Sequence, residues 1–266
     1  AIRRIVELEK VRLLEEGKTL EAFDPKAFFS VPADDPALLA AFEQKPVLLV
    51  GDDHHFSASA LKKYEDCPLC YKFRYVLLVP SLPRTYFSMG TAVHTVIELL
   101  SKRQLEGTIP TKEQAIELLN TCWSSEAYAS RKHELEDRIR AEAMLDTYLA
   151  WQAANRNTIV AAEKRFQFPI NGKKVKGFID RIEQTPEGEY VVVDFKTGAK
   201  PSSLTKNSVL ADIQLNLYSL AIKEMFGKLP KRASFYHIRD DKMVDYSPTE
   251  ETVGAFAETA KSIISA

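Results

Sequence analysis

Residues 166–198 constrain this chain more than any other stretch, because they read as three β-strands joined by two tight turns. FQFPI is followed by Asn171-Gly172, a pair that tolerates the left-handed backbone of a two-residue hairpin. VKGFIDRIEQ reads as the second strand, TPEGE as another turn and YVVVDFKT as the third strand. Such a meander has to bury at least one face, and the flanking segments have helical periodicity suited to covering it. Before it, Ser57 or Ser59 caps a helix through SALKKYEDCP, and helical patterns run over Leu69–Val79, Ser88–Glu106, Thr111–Ser124 and His133–Asn155. After it come a helix at Ser208–Phe226, a strand at RASFYHI, a turn at Asp240-Asp241, a short strand at Lys242–Tyr246 and a helix at Thr249–Ser265. The core order of helix, three strands, helix, strand predicts an α/β layered domain over residues 56–266, with a helical insert at about 107–155. Residues 1–55 read as a lead-in: an amphipathic helix over 1–16, a loop rich in Pro and Asp, and the apolar run PVLLV. It packs beside the main domain or belongs to a missing neighbour.

The chain is 45% hydrophobic and 27% charged, as expected of a soluble protein with one sizeable core. No run approaches the roughly 18 consecutive apolar residues of a membrane span, so no membrane partner is expected. The N-terminus, AIRRIVELEKVRLLEEG, is charged throughout and is not a signal peptide; it lacks an initiator Met, as an excised or processed piece would. A net charge of -1 neither predicts nor excludes a nucleic-acid partner, since phosphate binding needs a basic surface and not a basic protein. Three cysteines, Cys67, Cys70 and Cys122, cannot build a disulfide framework, which points to a reducing, cytoplasmic setting.

The third strand carries an oddity. In VVVDFKTG, Asp194 and Lys196 interrupt an apolar run two positions apart, so they share a face while Val193 and Phe195 point the other way. Asp180, in GFIDRIE, lies on the strand joined to this one by TPEGE, and neighbouring antiparallel strands bring Asp180 and Asp194 together. Adjacent carboxylates repel, and a divalent cation relieves that repulsion. Lys196 then suits a phosphate or an attacking water; alone, the pair reads equally as a structural ion pair. His94, in SMGTAVHTVIELL, is a core histidine unless its helix ends at the carboxylates, where it becomes a metal ligand; Gly90 lets another backbone approach that helix.

Together GTAVH (90–94), Glu163 in AAEKRF, GFIDRIE (177–183), VVVDFKTG (191–198) and QLNLY (214–218) resemble the RecB-type nucleases of the PD-(D/E)XK superfamily, in order and in spacing. FSASALKKYEDCPLCYKFRY (56–75) is similar to the entry helices of these domains, which often end UvrD/RecB/AddB-type helicase-nucleases. The resemblance spans about Phe56–His237. It implies a restriction-endonuclease-like core with added N-terminal and inserted helices. It makes His94, Asp180, Asp194 and the backbone carbonyl of Phe195 ligands of Mg²⁺ or Mn²⁺, and Lys196 the catalytic lysine. The implied reaction is hydrolysis of a DNA phosphodiester leaving a 5′-phosphate, as an exonuclease on single-stranded ends fed by a helicase domain or subunit during DNA repair or recombination. Gln214 and Tyr218, one helical turn apart, line the site and touch DNA or Lys196; otherwise they are incidental polar residues of a packed helix. Glu163 orients Lys196 or water, or is a solvated strand-end charge. Basic residues that suit a DNA backbone include Arg181, Lys200 and Arg84.

The chain also departs from its relatives. Many hold an iron–sulfur cluster on one upstream and three C-terminal cysteines, but no Cys follows Cys122, so no cluster is expected. No G-x-x-x-x-G-K-[ST] occurs, so this chain is not itself an ATP motor. The rival reading is a catalytically silent module that keeps the nuclease fold to bind DNA or scaffold a helicase complex. Retention of His94, Asp180, Asp194 and Lys196 together argues for the enzyme.

Overall fold

The computed structural model describes residues 55–79, 85–126, 128–199 and 212–265. Its elements run β1 (His55–Phe56), α1 (Ala58–Asp66), α2 (Pro68–Tyr71), α3 (Thr85–Leu105), α4 (Lys112–Cys122), α5 (Arg131–Ala154), β2 (Thr158–Ile170), β3 (Lys173–Gln184), β4 (Tyr190–Lys196), α6 (Ile213–Phe226), β5 (Arg232–His237), β6 (Lys242–Tyr246) and α7 (Glu250–Ser265). Of the lead-in at residues 1–55, all but His55 lies outside the described residues, as do Arg84 and Lys200.

Local chemistry accounts for many of the boundaries. Ser57 caps α1 by accepting from the Ala60 N–H at 3.2 Å. Thr111 and Gln114 form a reciprocal capping box on α4. Cys67 caps α2 through its sulfur, which accepts from the Cys70 N–H at 3.3 Å, and Pro68 opens that helix. The expected helix over Leu69–Val79 is therefore broken into α2 and a π-helical turn at Lys72–Val76. Asn171 and Gly172 have φ of 49° and 73°, as the β2–β3 hairpin requires.

β2 pairs antiparallel with β3 along almost its whole length, from Thr158 opposite Gln184 to Ile170 opposite Lys173. It begins well before the FQFPI segment legible in the sequence, because the pairing with β3 draws the less periodic TIVAAEKR into the sheet. On the other edge of β3, β1 pairs parallel at Lys174 and Val175, and β4 pairs antiparallel from Arg181 to Gln184. β4 then pairs parallel with β5, and β5 antiparallel with β6.

The sheet is covered on both faces. On one, Val192, Ile179 and Ile182 pack with Leu215, Leu217 and Ile222 of α6, Leu61 of α1 and Phe256 of α7. On the other, Val191, Val193 and Phe195 meet Val93, Ile97 and Leu100 of α3, Leu119 of α4, and Leu145 and Tyr148 of α5. Residues 107–155 thus supply a large part of the second core. The result is a three-layer α/β arrangement, in keeping with the layered α/β domain that the element order predicts.

Gly177 shows how tight the first core is. A Cβ there would lie 2.7 Å from the Phe166 ring, which is only 4% exposed and has little room to shift. Gly177→Ala is expected to cost about 1–3 kcal/mol, the usual range for overpacking, measured as a lower urea midpoint with an unchanged m-value.

Candidate active site

The β3–β4 ladder ends with Arg181 opposite Val193. Asp180 and Asp194 are the next residues along, at the point where the strands part. The Phe195 N–H donates to Asp180 Oδ2 at 3.0 Å, so a carboxylate accepts where the ladder stops. Asp194 is 2% exposed. Its Oδ1 accepts from Gln214 Nε2 at 2.7 Å and from the Tyr218 hydroxyl at 3.2 Å. Its Oδ2 lies 2.6 Å from Lys196 Nζ, in an ion pair without well-aligned hydrogen-bond geometry. Lys196 also donates to Gln214 Oε1 at 2.9 Å and sits 4.7 Å above the Phe235 ring.

The Gln214 amide therefore bridges both members of the pair, and its second N–H donates to Tyr218 at 2.7 Å. The start of α6 makes this possible. Asp212 caps it by accepting from the N–H groups of Gln214 at 2.8 Å and Leu215 at 3.2 Å, which sets Gln214 and Tyr218 on the face toward β4.

From the opposite layer, α3 brings His94 to within 3.6 Å of Asp180 Oδ2, beyond hydrogen-bond distance. α3 meets the end of β4 at Gly90, where a Cβ would lie 3.0 Å from Thr197 Oγ1. What comes close to Gly90 is thus a side-chain hydroxyl. Glu163 is bracketed by the pairs Ala162–Arg181 and Lys164–Ile179, which sets it across from Asp180. It has φ of 46°, a left-handed conformation that is costly for a non-glycine residue inside a strand. With Gly90, His94, Glu98 and Thr197 it lines a cavity of about 410 Å³.

The electrostatics follow from crowding. Burial, then the Asp194 charge, push the Asp180 carboxyl well above its ordinary range, against the opposing hydrogen bond from Phe195. Burial raises Glu163, with Glu98 adding to it. Burial lowers His94 against the pull of Asp194, so the imidazole is neutral at pH 7 and keeps a lone pair. For Lys196, burial opposes the charge, but Asp194, Asp180 and Asp212 together more than offset it and the net shift is upward. Burial and the Asp194 charge likewise raise Tyr218, which stays a phenol.

Seven of the residues singled out from the sequence therefore meet at this fork: His94, Glu163, Asp180, Asp194, Lys196, Gln214 and Tyr218. Phe195 joins them through its N–H, which donates to Asp180. Two assignments to DNA need correcting. Arg181 is fully buried, ion-paired to Glu183 at 2.6 Å, hydrogen-bonded to the Tyr148 hydroxyl at 3.1 Å and stacked over Trp151, so it belongs to the core beneath α5. Tyr218 is 4% exposed and its hydroxyl is held by Asp194 and Gln214, so it braces the site from inside.

Sequence reading missed Glu98 and Asp212. The first had a signal in its spacing from His94, i to i+4; the second is an N-cap aspartate just ahead of QLNLY.

Among the described residues, no three His, Cys, Asp or Glu side chains converge closely enough to hold a metal ion. As placed, Asp194 turns both oxygens toward Lys196, Gln214 and Tyr218. The donor chemistry nonetheless fits a hard divalent cation: a neutral imidazole, two crowded carboxylates, and an Asp194 Oδ2 that makes no aligned hydrogen bond.

Residues 55–264 match the family described as the PD-(D/E)XK nuclease superfamily. The chain belongs to that superfamily. Its relatives include the Gene 69 protein of Mycobacterium phage D29, 24% identical over 209 residues, covering 68% of this chain and 74% of the phage protein. A subunit of the ATP-dependent helicase/deoxyribonuclease of Streptococcus agalactiae serotype III (strain NEM316) is 29% identical over 204 residues; the match covers 72% of this chain but only 19% of that much longer protein. Among solved structures, a candidate exonuclease from Eubacterium rectale superposes with a TM-score of 0.51 at 12% identity, covering 84% of this chain and 83% of that one. This last likeness concerns the fold alone, and it agrees with the restriction-endonuclease-like architecture. Among the described residues, no helix is long and apolar enough to cross a membrane.

Proposed function

We propose that this protein is a divalent-metal-dependent deoxyribonuclease, acting as an exonuclease on single-stranded ends in DNA repair or recombination, alongside a helicase domain or subunit. The observation that carries the reading is the meeting of His94, Asp180, Asp194 and Lys196 at one fork of the sheet, in a chain of this superfamily. The streptococcal relative is named for a helicase/deoxyribonuclease, which supports both the substrate and the helicase link.

In this reading His94, Asp180, Asp194 and the Phe195 carbonyl hold Mg²⁺ or Mn²⁺, which supplies positive charge against the anionic charge that builds on the phosphate. Lys196 stands beside the scissile phosphate and stabilises that same charge. Gln214 and Tyr218 keep Asp194 and Lys196 aligned, and Glu163 orients water or Lys196. Water attacks phosphorus, the bond to the 3′ oxygen breaks, and a 5′-phosphate remains. The exposed Lys164, Arg165, Lys173 and Lys174, with Arg84 and Lys200, offer sequence-independent contacts to the DNA backbone.

A second reading, the silent scaffold, draws on the engagement of both Asp194 oxygens by protein partners. Cleavage of end-labelled single- and double-stranded DNA in Mn²⁺, Mg²⁺ and EDTA separates the two. Metal-dependent cutting supports the nuclease; DNA binding without cutting, with a helicase added, supports the scaffold.

Metal binding has its own test. Because the folded state raises the Asp180 pKa above 3.8, the ionised carboxylate costs stability at neutral pH. That cost is absent below the ordinary value of 3.8, where folded and unfolded chains are both protonated, and it grows as the pH rises toward the folded value. Asp180→Asn keeps an oxygen for the Phe195 N–H and removes the charge. It is expected to raise Tm at pH 7 in EDTA and to abolish the rise in Tm that Mn²⁺ gives the wild type. Equal Mn²⁺ shifts in both proteins, or none in the wild type, would remove Asp180 from the ligand set.

A further inference from the structure

The cleft beside Lys196 also contains an aromatic residue that neither core uses. It has a volume of about 640 Å³ and is lined by Ser57 and Lys62 from the α1 end, by Gly177 and Phe178 of β3, and by Lys196 and Gln214. It lies at a gap in the sheet. β1 pairs with β3 only at Lys174 and Val175, and β4 joins only from Arg181, so residues 176–180 have no ladder partner on that edge among the described residues. Phe178 sits in the middle of this interval and is 54% exposed. Its cross-strand partner is the exposed Arg165, not an apolar residue. Its chain neighbours are anchored: Gly177 lies against the Phe166 ring and Ile179 is fully buried.

We propose that Phe178 is a stacking platform for one unpaired nucleobase next to the scissile phosphate, and that it favours single strands. The inference rests on the nuclease reading and deepens it. The occupant follows from the chemistry around the gap. Lys62, Arg165 and Lys196 supply cations for successive phosphates, and the ring supplies an apolar π-face, the combination that holds single-stranded nucleic acid without reading its sequence. A base paired within a duplex is stacked on its neighbours and has no free face to offer the ring.

The test measures the affinity of a short single-stranded oligonucleotide by fluorescence anisotropy in EDTA, for wild type, Phe178→Ala and Phe178→Trp. A series of oligonucleotides carries one abasic site moved along the strand. Phe178→Ala is expected to weaken binding about tenfold, within the range for stacking of one base on an aromatic ring, and Phe178→Trp to retain it. At one abasic position the wild type is expected to lose the same factor, with no further loss in Phe178→Ala. If Phe178→Ala binds like the wild type, or its loss adds to that of every abasic position, the platform is refuted while metal-dependent cleavage by the wild type leaves the nuclease reading standing. If the wild type neither binds nor cuts single strands, both fall.

Discussion

Lys196→Ala is expected to lower single-turnover cleavage of single-stranded DNA in Mn²⁺ by about 10²–10³-fold, the loss typical when one preorganised electrostatic contact to a developing charge is removed. Lys196 is the cation that stands against the Asp194–Asp180 pair, and Gln214 and the Phe235 ring hold it in place. Lys196→Gln retains a polar group of similar reach without the charge, so it is expected to fall nearly as far. Gln214→Ala leaves the charge but frees both partners, and a smaller loss is expected. Circular dichroism and Tm of each variant separate lost chemistry from lost fold. A Lys196→Ala protein that is folded and cuts at the wild-type rate would take this lysine out of the reaction.

Arg181→Ala is expected to destabilise the fold by about 3–5 kcal/mol, the usual cost of breaking a buried ion pair from one side. The change strands the Glu183 carboxylate, 1% exposed, which among the described residues keeps only the amides of Asn155 at 2.7 Å and Asn157 at 2.9 Å. It also removes the hydrogen bond to the Tyr148 hydroxyl and the stack over the Trp151 ring. Replacing both partners, as Arg181→Met with Glu183→Met, removes the stranded charge and is expected to recover much of the loss. Urea denaturation of the two variants and the wild type measures this directly. Near-native stability in Arg181→Ala with a clear loss of DNA affinity would contradict the burial argument and return Arg181 to the DNA surface.

Arg181 marks where sequence reading reaches its limit. It stands beside Asp180 in GFIDRIE, and a basic residue next to a site acid reads naturally as a phosphate contact. Its true role depends on α5, which begins fifty residues upstream and lays Tyr148 and Trp151 over that face of β3. Tyr218 errs in the same direction and for a related reason: the i, i+4 spacing shows that it shares a face with Gln214, but only the packing of α6 on β4 shows that its hydroxyl is taken by Asp194. Glu163 gave no local hint of its left-handed backbone, which is a feature of the β2–β3 pairing around the fork.

The sequence by itself determined the relations that depend on short-range periodicity. Alternation along VVVDFKTG puts Asp194 and Lys196 on one face; Asn171-Gly172 and TPEGE impose the meander; helical spacing pairs Gln214 with Tyr218. Tertiary structure alone decided the rest. β3 and β4 part after Arg181 and Val193, at the Asp180–Asp194 pair that strand neighbourhood already implied, α3 carries His94 to them from the opposite layer, and Phe178 is left 54% exposed at the gap between β1 and β4. Periodicity states which side chains travel together, whereas burial and charge at a site depend on what distant segments set against that face, and no local pattern encodes that neighbour.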